Sequence, residues 1–326
     1  MADKKLISFV IPVFNEQENI EPFLDTLNAE TAGLSDRYDF EILFTDNHST
    51  DDTFKMLNAR AEKDKRIRVI RFSRNFGYQR SILTAYANAR GDAAIQLDCD
   101  LQDPPSLVGE FLRLWEEGNA VVYGIRKTRK EGWLLHTARR AFYRLVDALA
   151  DIDLPHHAGD FRLVDRKILD LITASQDRNP YLRGMIARCG FKQVGVPYDR
   201  ESRQRGISKF SPGEYFSIAF DGIVSQSVIP LRLATYTGLI VAMVTFAAVL
   251  VYFLGHAMFG ATWPPGFATQ TMLILFGISV NALFLGIIGE YVARIYQQSV
   301  KGPVTIVEQV VPRKDRSGVK MPGNDG

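Results

Sequence analysis

The stretch Ala94-Ile95-Gln96-Leu97-Asp98-Cys99-Asp100-Leu101-Gln102-Asp103-Pro104-Pro105 decides how this chain is read. Ala94–Leu97 is too short for a helix and has the composition of a buried strand, and it runs straight into two carboxylates one residue apart. Carboxylate and amide oxygens are hard ligands, so Asp98, Asp100 and Gln102 together suit Mg2+ or Mn2+. The pattern D-x-D is weak by itself. With 23 Asp in 326 residues, about one or two such pairs arise by chance. A second pair, Asp151-Ile152-Asp153, follows a predicted helix instead of a strand and reads as a solvated helix end.

Outward from that strand, the first 125 residues alternate apolar runs with amphipathic segments. Strands are expected at Leu6–Val13, Phe40–Thr45, Ile67–Phe72, Ala94–Leu97 and Ala120–Tyr123, and helices at Asn19–Ala29, Asp51–Lys63, Tyr78–Ala89 and Ser106–Glu117. Such alternation implies right-handed βαβ units and an α/β fold with a mostly parallel sheet covered on both faces. Ligands of these sheets bind beyond the carboxyl ends of the strands. The first strand ends in Pro12-Val13-Phe14-Asn15-Glu16 and the second in Asp46-Asn47-His48-Ser49-Thr50-Asp51, both suited to hydrogen-bonding a nucleobase and ribose. For Ser49 and Asp51, helix capping is the plain alternative; Asp46 precedes the cap and is the stronger ligand candidate. His48 has no neighbour in sequence that would make it catalytic.

Cations gather further on. Arg126-Lys127-Thr128-Arg129-Lys130 follows a strand, and Gly159-Asp160-Phe161-Arg162 and Arg203-Gln204-Arg205-Gly206-Ile207-Ser208-Lys209 come later. Arginine clusters fit phosphate through fork geometry; attraction to anionic lipid is the alternative. Trp133–Leu149 and Tyr215–Val228 carry apolar residues at helical spacing, the latter suited to lying on a bilayer.

The 57 residues from Leu233 to Gly289 contain no Asp, Glu, Lys or Arg. A spanning helix needs about 20 apolar residues, so this region accommodates two, near Thr235–Phe253 and Thr271–Gly289, with Trp263-Pro264-Pro265-Gly266 between them. Arg232 before the pair and Arg294, Lys301, Arg313, Lys314 and Arg316 after it place both flanks in the cytoplasm by the positive-inside rule. The expected organisation is a catalytic domain over residues 1–210, an interfacial helix over 211–230, a transmembrane hairpin over 231–295 and a cytoplasmic tail over 296–326, disordered from Val311.

The net charge of +2 is too small to argue for a nucleic-acid partner, and none is expected. Cys99 and Cys189 lack metal-type or redox-type spacing and read as reduced thiols. The apolar run Leu6–Phe14 is interrupted by Pro12 and lacks a cleavage site, so a buried strand is expected there and not a signal peptide.

Together these motifs resemble family-2 glycosyltransferases acting on polyprenyl phosphates, the dolichol-phosphate mannosyltransferases and bacterial undecaprenyl-phosphate glucosyltransferases among them. The resemblance runs by motif from Leu6 to Lys209 and by layout through the hairpin. It implies a GT-A fold, Rossmann-like, with Pro12, Asn15, Glu16, Asp46 and Ser49 at the nucleotide. It also implies Asp98, Asp100 and Gln102 around a divalent metal, Asp160 as the catalytic Asp, and Arg126, Arg162, Arg203 and Lys209 as phosphate contacts. Asn47 stands where many relatives carry a second Asp, which argues against metal binding there. The implied reaction moves a hexose, UDP-glucose being the first choice of donor, onto a polyprenyl phosphate at the cytoplasmic membrane face. GDP-mannose, UDP-N-acetylglucosamine and modified arabinose donors are the alternatives. Relatives form homo-oligomers through membrane helices, and Gly277, Gly286 and Gly289 permit that here.

Two rivals fare worse. Processive polysaccharide synthases carry Gln-x-x-Arg-Trp, whereas none of Trp115, Trp133 and Trp263 follows an Arg. A non-enzymatic lipid-binding or transport component would need ionisable groups in its spans, and only His256 and the boundary Glu290 are available.

Overall fold

A computed structural model describes residues 4–126, 158–175, 177, 179–199, 266–299 and 302–312, with short pieces at 236–238, 240–241, 243–244, 247 and 254. The chain divides into two compact units. The first comprises Met1–Arg144, Ile152–Tyr215 and Lys301–Gly326, and the second Leu145–Asp151 and Phe216–Val300.

The first unit is built on an eight-stranded sheet. Its strands are β1 (Lys5–Val13), β2 (Tyr38–Asp46), β3 (Ile67–Phe72), β4 (Ala93–Gln96), β5 (Val121–Arg126), β6 (Ala158–Asp165), β7 (Gln193–Tyr198) and β8 (Val307–Val311), in spatial order β7-β5-β6-β4-β1-β2-β3-β8. Helices α1 (Gln17–Ala32), α2 (Thr53–Lys63), α3 (Tyr78–Asn88) and α4 (Val108–Glu116) follow the first four strands, and α5 (Arg166–Thr173) and α6 (Leu182–Arg188) lie between β6 and β7. The pairs β1–β2, β1–β4, β2–β3 and β5–β7 are parallel. The expected α/β architecture is present.

Period-two alternation explains why both faces are covered. Phe9 and Ile11 of β1 pack with Phe23 of α1, Leu57 of α2 and Phe111 of α4. Val10, between them, points the other way, toward Ile82 of α3, Ile168 of α5 and Leu182 of α6. Strands buried on both faces need near-continuous apolar runs, which is why Leu6–Val13 and Phe40–Phe44 read so clearly. A fully buried side chain such as Phe9 or Phe44 contributes roughly 1.5–3 kcal/mol. Pro12 is tolerated in this setting because β1 pairs with β4 only as far as Val10, so its missing N–H falls where β1 has a single neighbour.

Two features add to the sequence-based expectation. β6 is antiparallel and inserts between β4 and β5, so those two strands are not neighbours. The segment expected as a tail over 296–326 supplies β8, which pairs antiparallel with β3 and closes the sheet edge; residues 313–326, in the stretch expected to be disordered, lie outside the described residues. The buried hydroxyls of Thr305 and Thr84, 2.9 Å apart, anchor the approach to β8.

In the second unit, α7 (Phe267–Ser299) is a 33-residue helix. Leu273, Ile274, Phe276, Ile278, Leu285, Val292 and Ile295 on it are all exposed. Among the described residues no helix is long and apolar enough to cross a membrane, so the expected spans rest on the sequence argument alone. Most of Thr235–Phe253, the interfacial helix at 211–230, and Trp133–Leu149 lie outside the described residues.

The tightest backbone approach in the first unit tests this packing. A Cβ on Gly91 would stand 2.7 Å from Leu6 O and from Ser8 N, neither of which can move without breaking β1. Gly91→Ala should therefore lower stability by about 1–3 kcal/mol, read as a fall in the melting temperature of the purified protein.

Candidate active site

One edge of the sheet collects the polar residues, and topology is the reason. The loops after β1, β2 and β4 leave at the carboxyl ends of parallel strands. β6 runs the opposite way, so its first residues arrive at the same edge. Gln96 of β4 pairs with Arg162 of β6. Two residues beyond that pair, on either strand, lie Asp98 and Asp160. β5 and β7 are parallel, pair Arg126 with Tyr198, and bring both residues to that edge.

Among the described residues, the non-glycine residues with left-handed φ are Asn15 (55°), His48 (64°) and Leu101 (57°), one on each of the loops after β1, β2 and β4. Such conformations are costly for L-residues and concentrate at functional loops. Cross-bracing holds two of these loops together. Asn15 N donates to Ser49 Oγ at 2.9 Å, Thr50 N donates to Asn15 Oδ1 at 2.8 Å, and Glu16 N donates to Thr53 Oγ1 at 2.8 Å. Glu16 in turn accepts from Asn19 Nδ2 at 2.6 Å. Asn15, Glu16 and Ser49 thus shape the β1 and β2 loops. Asp46 is fully buried. Its Oδ1 accepts from Ser49 N at 3.0 Å, whereas no donor among the described residues hydrogen-bonds its Oδ2. Burial raises its carboxyl above the usual range, with Ser49 and Arg71 opposing.

The acidic loop is organised by its own turn and by Tyr78. Gln102 N donates to Asp100 Oδ1 at 3.1 Å. Tyr78 Oη, at the start of α3, donates to Asp98 Oδ1 at 2.6 Å and accepts from Gln96 Nε2 at 2.8 Å. Burial pushes the Asp98 carboxyl up to about 7, and the negative charges of Asp103, Asp100 and Asp160 add to this against the Tyr78 hydrogen bond. Asp103 is buried, accepts from Tyr198 Oη and lies 3.4 Å from Arg126 Nη2. Arg126 Nε donates to Tyr198 Oη at 3.1 Å. Burial alone would depress the Arg126 guanidinium, but Asp103 and Tyr198 outweigh it and raise it.

Asp160 sits among arginines. Arg183 Nε donates to its Oδ1 at 3.0 Å, and Arg162 Nη2 stands 3.6 Å from the same oxygen. Burial would raise this carboxyl; Arg183 and Arg162 overcome that and hold it below the usual range. Arg162, expected among the phosphate contacts, is buried and donates to Gly159 O at 2.8 Å. Its guanidinium orients Asp160 and the β6 entry. Arg203, Lys209 and Lys127–Lys130 lie outside the described residues.

A divalent cation fits the donor set at the acidic loop. Among the described residues no group of three or more His, Cys, Asp or Glu side chains forms a ready metal cage. Mg2+, however, keeps several waters and takes one or two carboxylates plus substrate phosphates, a demand that Asp98 and Asp100 can meet. The crowding that lifts Asp98 is also the crowding a cation relieves.

Sequence reasoning missed four members of this edge. Arg183 comes from a helix with no motif, Tyr78 was seen only as a helix start, Asp103 was quoted without a role, and Tyr198 stands in an unexpected strand. The repeated polar residues near Pro104 and Pro105 were a usable signal for Asp103; nothing local marked Arg183.

Sequence comparison gives the class of protein to which this fold and edge belong, the glycosyltransferases. The model of the family described as "Glycosyl transferase family 2" matches residues 8–172, and the chain belongs to that family and is a glycosyltransferase. An uncharacterised glycosyltransferase of Bacillus subtilis, YkcC, is 35% identical over 93% of this chain and 93% of its own length. The prophage bactoprenol glucosyl transferase homolog of Escherichia coli K12 is 34% identical over 93% of this chain and 99% of its own. Among solved structures, the mannosyltransferase PcManGT from Pyrobaculum calidifontis is 16% identical, covers 87% of this chain and 88% of that one, and has a TM-score of 0.44.

The raised Asp98 carboxyl yields a signed prediction. A carboxyl lifted to about 7 binds its proton more tightly folded than unfolded, so the metal-free fold loses stability as pH rises from about 4 to about 7. Asp98→Asn, which keeps the acceptor for Tyr78, should raise the melting temperature in chelator at pH 7.5, show little gain at pH 4.5, and abolish sugar transfer. Thermal scans at the two pH values and one activity assay check all three outcomes.

Proposed function

We propose that this glycosyltransferase moves a hexose from a nucleotide-sugar, UDP-glucose being the first choice, onto a polyprenyl phosphate such as undecaprenyl phosphate, with inversion, at the cytoplasmic face of the membrane. The observation that carries the reading is the gathering on one sheet edge of a buried carboxylate with an open oxygen (Asp46), an acidic loop (Asp98, Asp100) and an arginine-held carboxylate (Asp160). The name of the Escherichia coli relative supports the acceptor class, and Shigella phage SfV has a bactoprenol glucosyl transferase 34% identical over 93% of this chain.

Asp46 Oδ2 is suited to accept an N–H from the nucleobase, with Pro12, Asn15, Glu16 and Ser49 around the nucleotide. Asp98, Asp100 and Gln102 would hold Mg2+ or Mn2+, which when bound neutralises a diphosphate leaving group. A phosphate oxygen of the lipid attacks the anomeric carbon, the bond to the nucleoside diphosphate breaks, and the electron pair leaves with it. No proton need be removed, because a phosphate monoester has a second pKa of about 6 and is largely anionic at pH 7. Asp160 matches this economy. Its carboxyl is held below the usual range, which makes it a weak base and a firm anchor for Arg183 and Arg162. Arg126, Arg203 and Lys209 are the remaining cations assigned to phosphates.

Membrane attachment is supported by the 57 uncharged residues and by the exposed apolar side chains along α7, which water tolerates poorly over so long a helix. The hairpin would hold the protein at the membrane that carries the acceptor, with both termini cytoplasmic, and its glycines suit a homo-oligomer.

The test is transfer from radiolabelled UDP-glucose, GDP-mannose, UDP-N-acetylglucosamine and a modified arabinose donor to undecaprenyl phosphate by detergent-solubilised protein with Mg2+ or Mn2+. One donor should yield label extractable into organic solvent, and chelator should stop it. Label that stays water-soluble with every donor contradicts the reading. Asp160→Asn should lower kcat by about 10- to 100-fold through misplacement, without shifting the acid limb of the pH–rate profile. Loss of that limb would make Asp160 the base.

A further inference from the structure

The chain's C-terminal strand reaches the nucleotide side of the site. β8 lies against β3 with Arg71 opposite Gln309 and Phe72 opposite Val307, and a bulge between them turns Glu308 toward the β2 loop. Ser73 N donates to Ile306 O at 2.9 Å and fixes the strand's entry. Glu308 Oε2 stands 3.2 Å from Arg71 Nε and 3.4 Å from His48 Nδ1. His48 Nδ1 also lies 3.1 Å from Phe72 O, which gives it a second reason to carry its proton on that nitrogen.

Arg71 stands between two carboxylates. Its Nε is 3.8 Å from Asp46 Oδ2 and 3.2 Å from Glu308 Oε2, and it hydrogen-bonds neither. Elsewhere on the group, Nη2 donates to Ser49 O at 3.4 Å, and the guanidinium lies over the Phe54 ring at 4.4 Å. A buried carboxylate oxygen without a donor is costly, and the nearest cation would ordinarily close on it. Here the cation leans toward Glu308 instead.

We propose that Glu308 is a positioning residue for donor binding: by drawing Arg71 toward the C-terminal strand, it keeps Asp46 Oδ2 open to accept a hydrogen bond from the base of a nucleoside diphosphate. Arg71 stays close enough to neutralise Asp46 and far enough not to occupy it. This rests on the reading of Asp46 as a nucleotide ligand. It adds that the segment following the long apolar region is part of the donor site and not a passive end of the sheet.

The consequence has an unusual sign. Without the Glu308 charge, Arg71 closes on Asp46, fills the open acceptor and improves the ligand-free fold while weakening the ligand. Full-length protein in detergent would be titrated calorimetrically with UDP and, in parallel, GDP, using wild type, Glu308→Gln, Glu308→Asp and Asp46→Asn. Glu308→Gln should raise the Kd of the nucleotide that binds by about 3- to 10-fold, raise the donor KM more than it lowers kcat, and leave the ligand-free melting temperature unchanged or higher. Glu308→Asp should recover most of the affinity. A Kd unchanged in Glu308→Gln but raised in Asp46→Asn overturns the inference and leaves the Asp46 reading standing. A Kd unchanged in both variants, or no binding of either nucleotide to wild type, overturns the Asp46 reading and the inference with it. A fall in melting temperature that accompanies the weaker binding, without rescue by Glu308→Asp, makes Glu308 a structural residue only and also overturns the inference.

Discussion

Like charges crowd at one edge of the sheet, and the groups around them are arranged to offset that repulsion. Asp98, Asp100, Asp103 and Asp160 converge because β6 enters antiparallel between β4 and β5, so the start of one strand meets the end of another. Four carboxylates cannot share a poorly solvated edge as free anions. Each is answered differently: Asp160 by Arg183 and Arg162, Asp103 by Arg126 and Tyr198, Asp100 by the turn at Gln102. Asp98 has the Tyr78 hydroxyl and a share in Arg126, which is itself paired with Asp103, and its carboxyl rises to about 7. That raised carboxyl marks the least compensated point of the edge.

The same edge holds the backbone strain. Asn15, His48 and Leu101 adopt left-handed φ on the loops after β1, β2 and β4, while the sheet beneath is buried on both faces. A rigid, well-packed support lets the loops keep unfavourable conformations and an open acceptor at Asp46. Stability lost at the edge is offset by the apolar runs below it, which is why a neutral residue at Asp98 can strengthen the fold and end the chemistry.

Much of this was legible in the sequence, for identifiable reasons. β1 to β4 and their helices follow from apolar runs long enough to be buried on both faces, and β3 was expected at the observed residues, Ile67–Phe72. The acidic loop announced itself by position after a strand. What stayed hidden depends on long-range pairing. β6 contains Asp160, Arg162 and Asp165, so its pattern reads as a polar motif until Phe161, Leu163 and Val164 are seen to be buried. β8 carries Glu308 and Gln309 beside a charged tail, and only its pairing with β3 makes it a strand. Arg183 reaches Asp160 from 23 residues away, a distance over which composition says nothing.

A divalent cation held by Asp98 and Asp100 would displace the proton that burial keeps on Asp98, and that proton would pass to the buffer. Calorimetry of Mn2+ with UDP or GDP at pH 6.5, in buffers of different ionisation enthalpy, measures that proton directly. Wild type should release about one proton more per cation bound than Asp98→Asn, which reports only the proton lost by the nucleotide's terminal phosphate. Equal proton release by the two proteins, with cation and nucleotide bound to both, would contradict this.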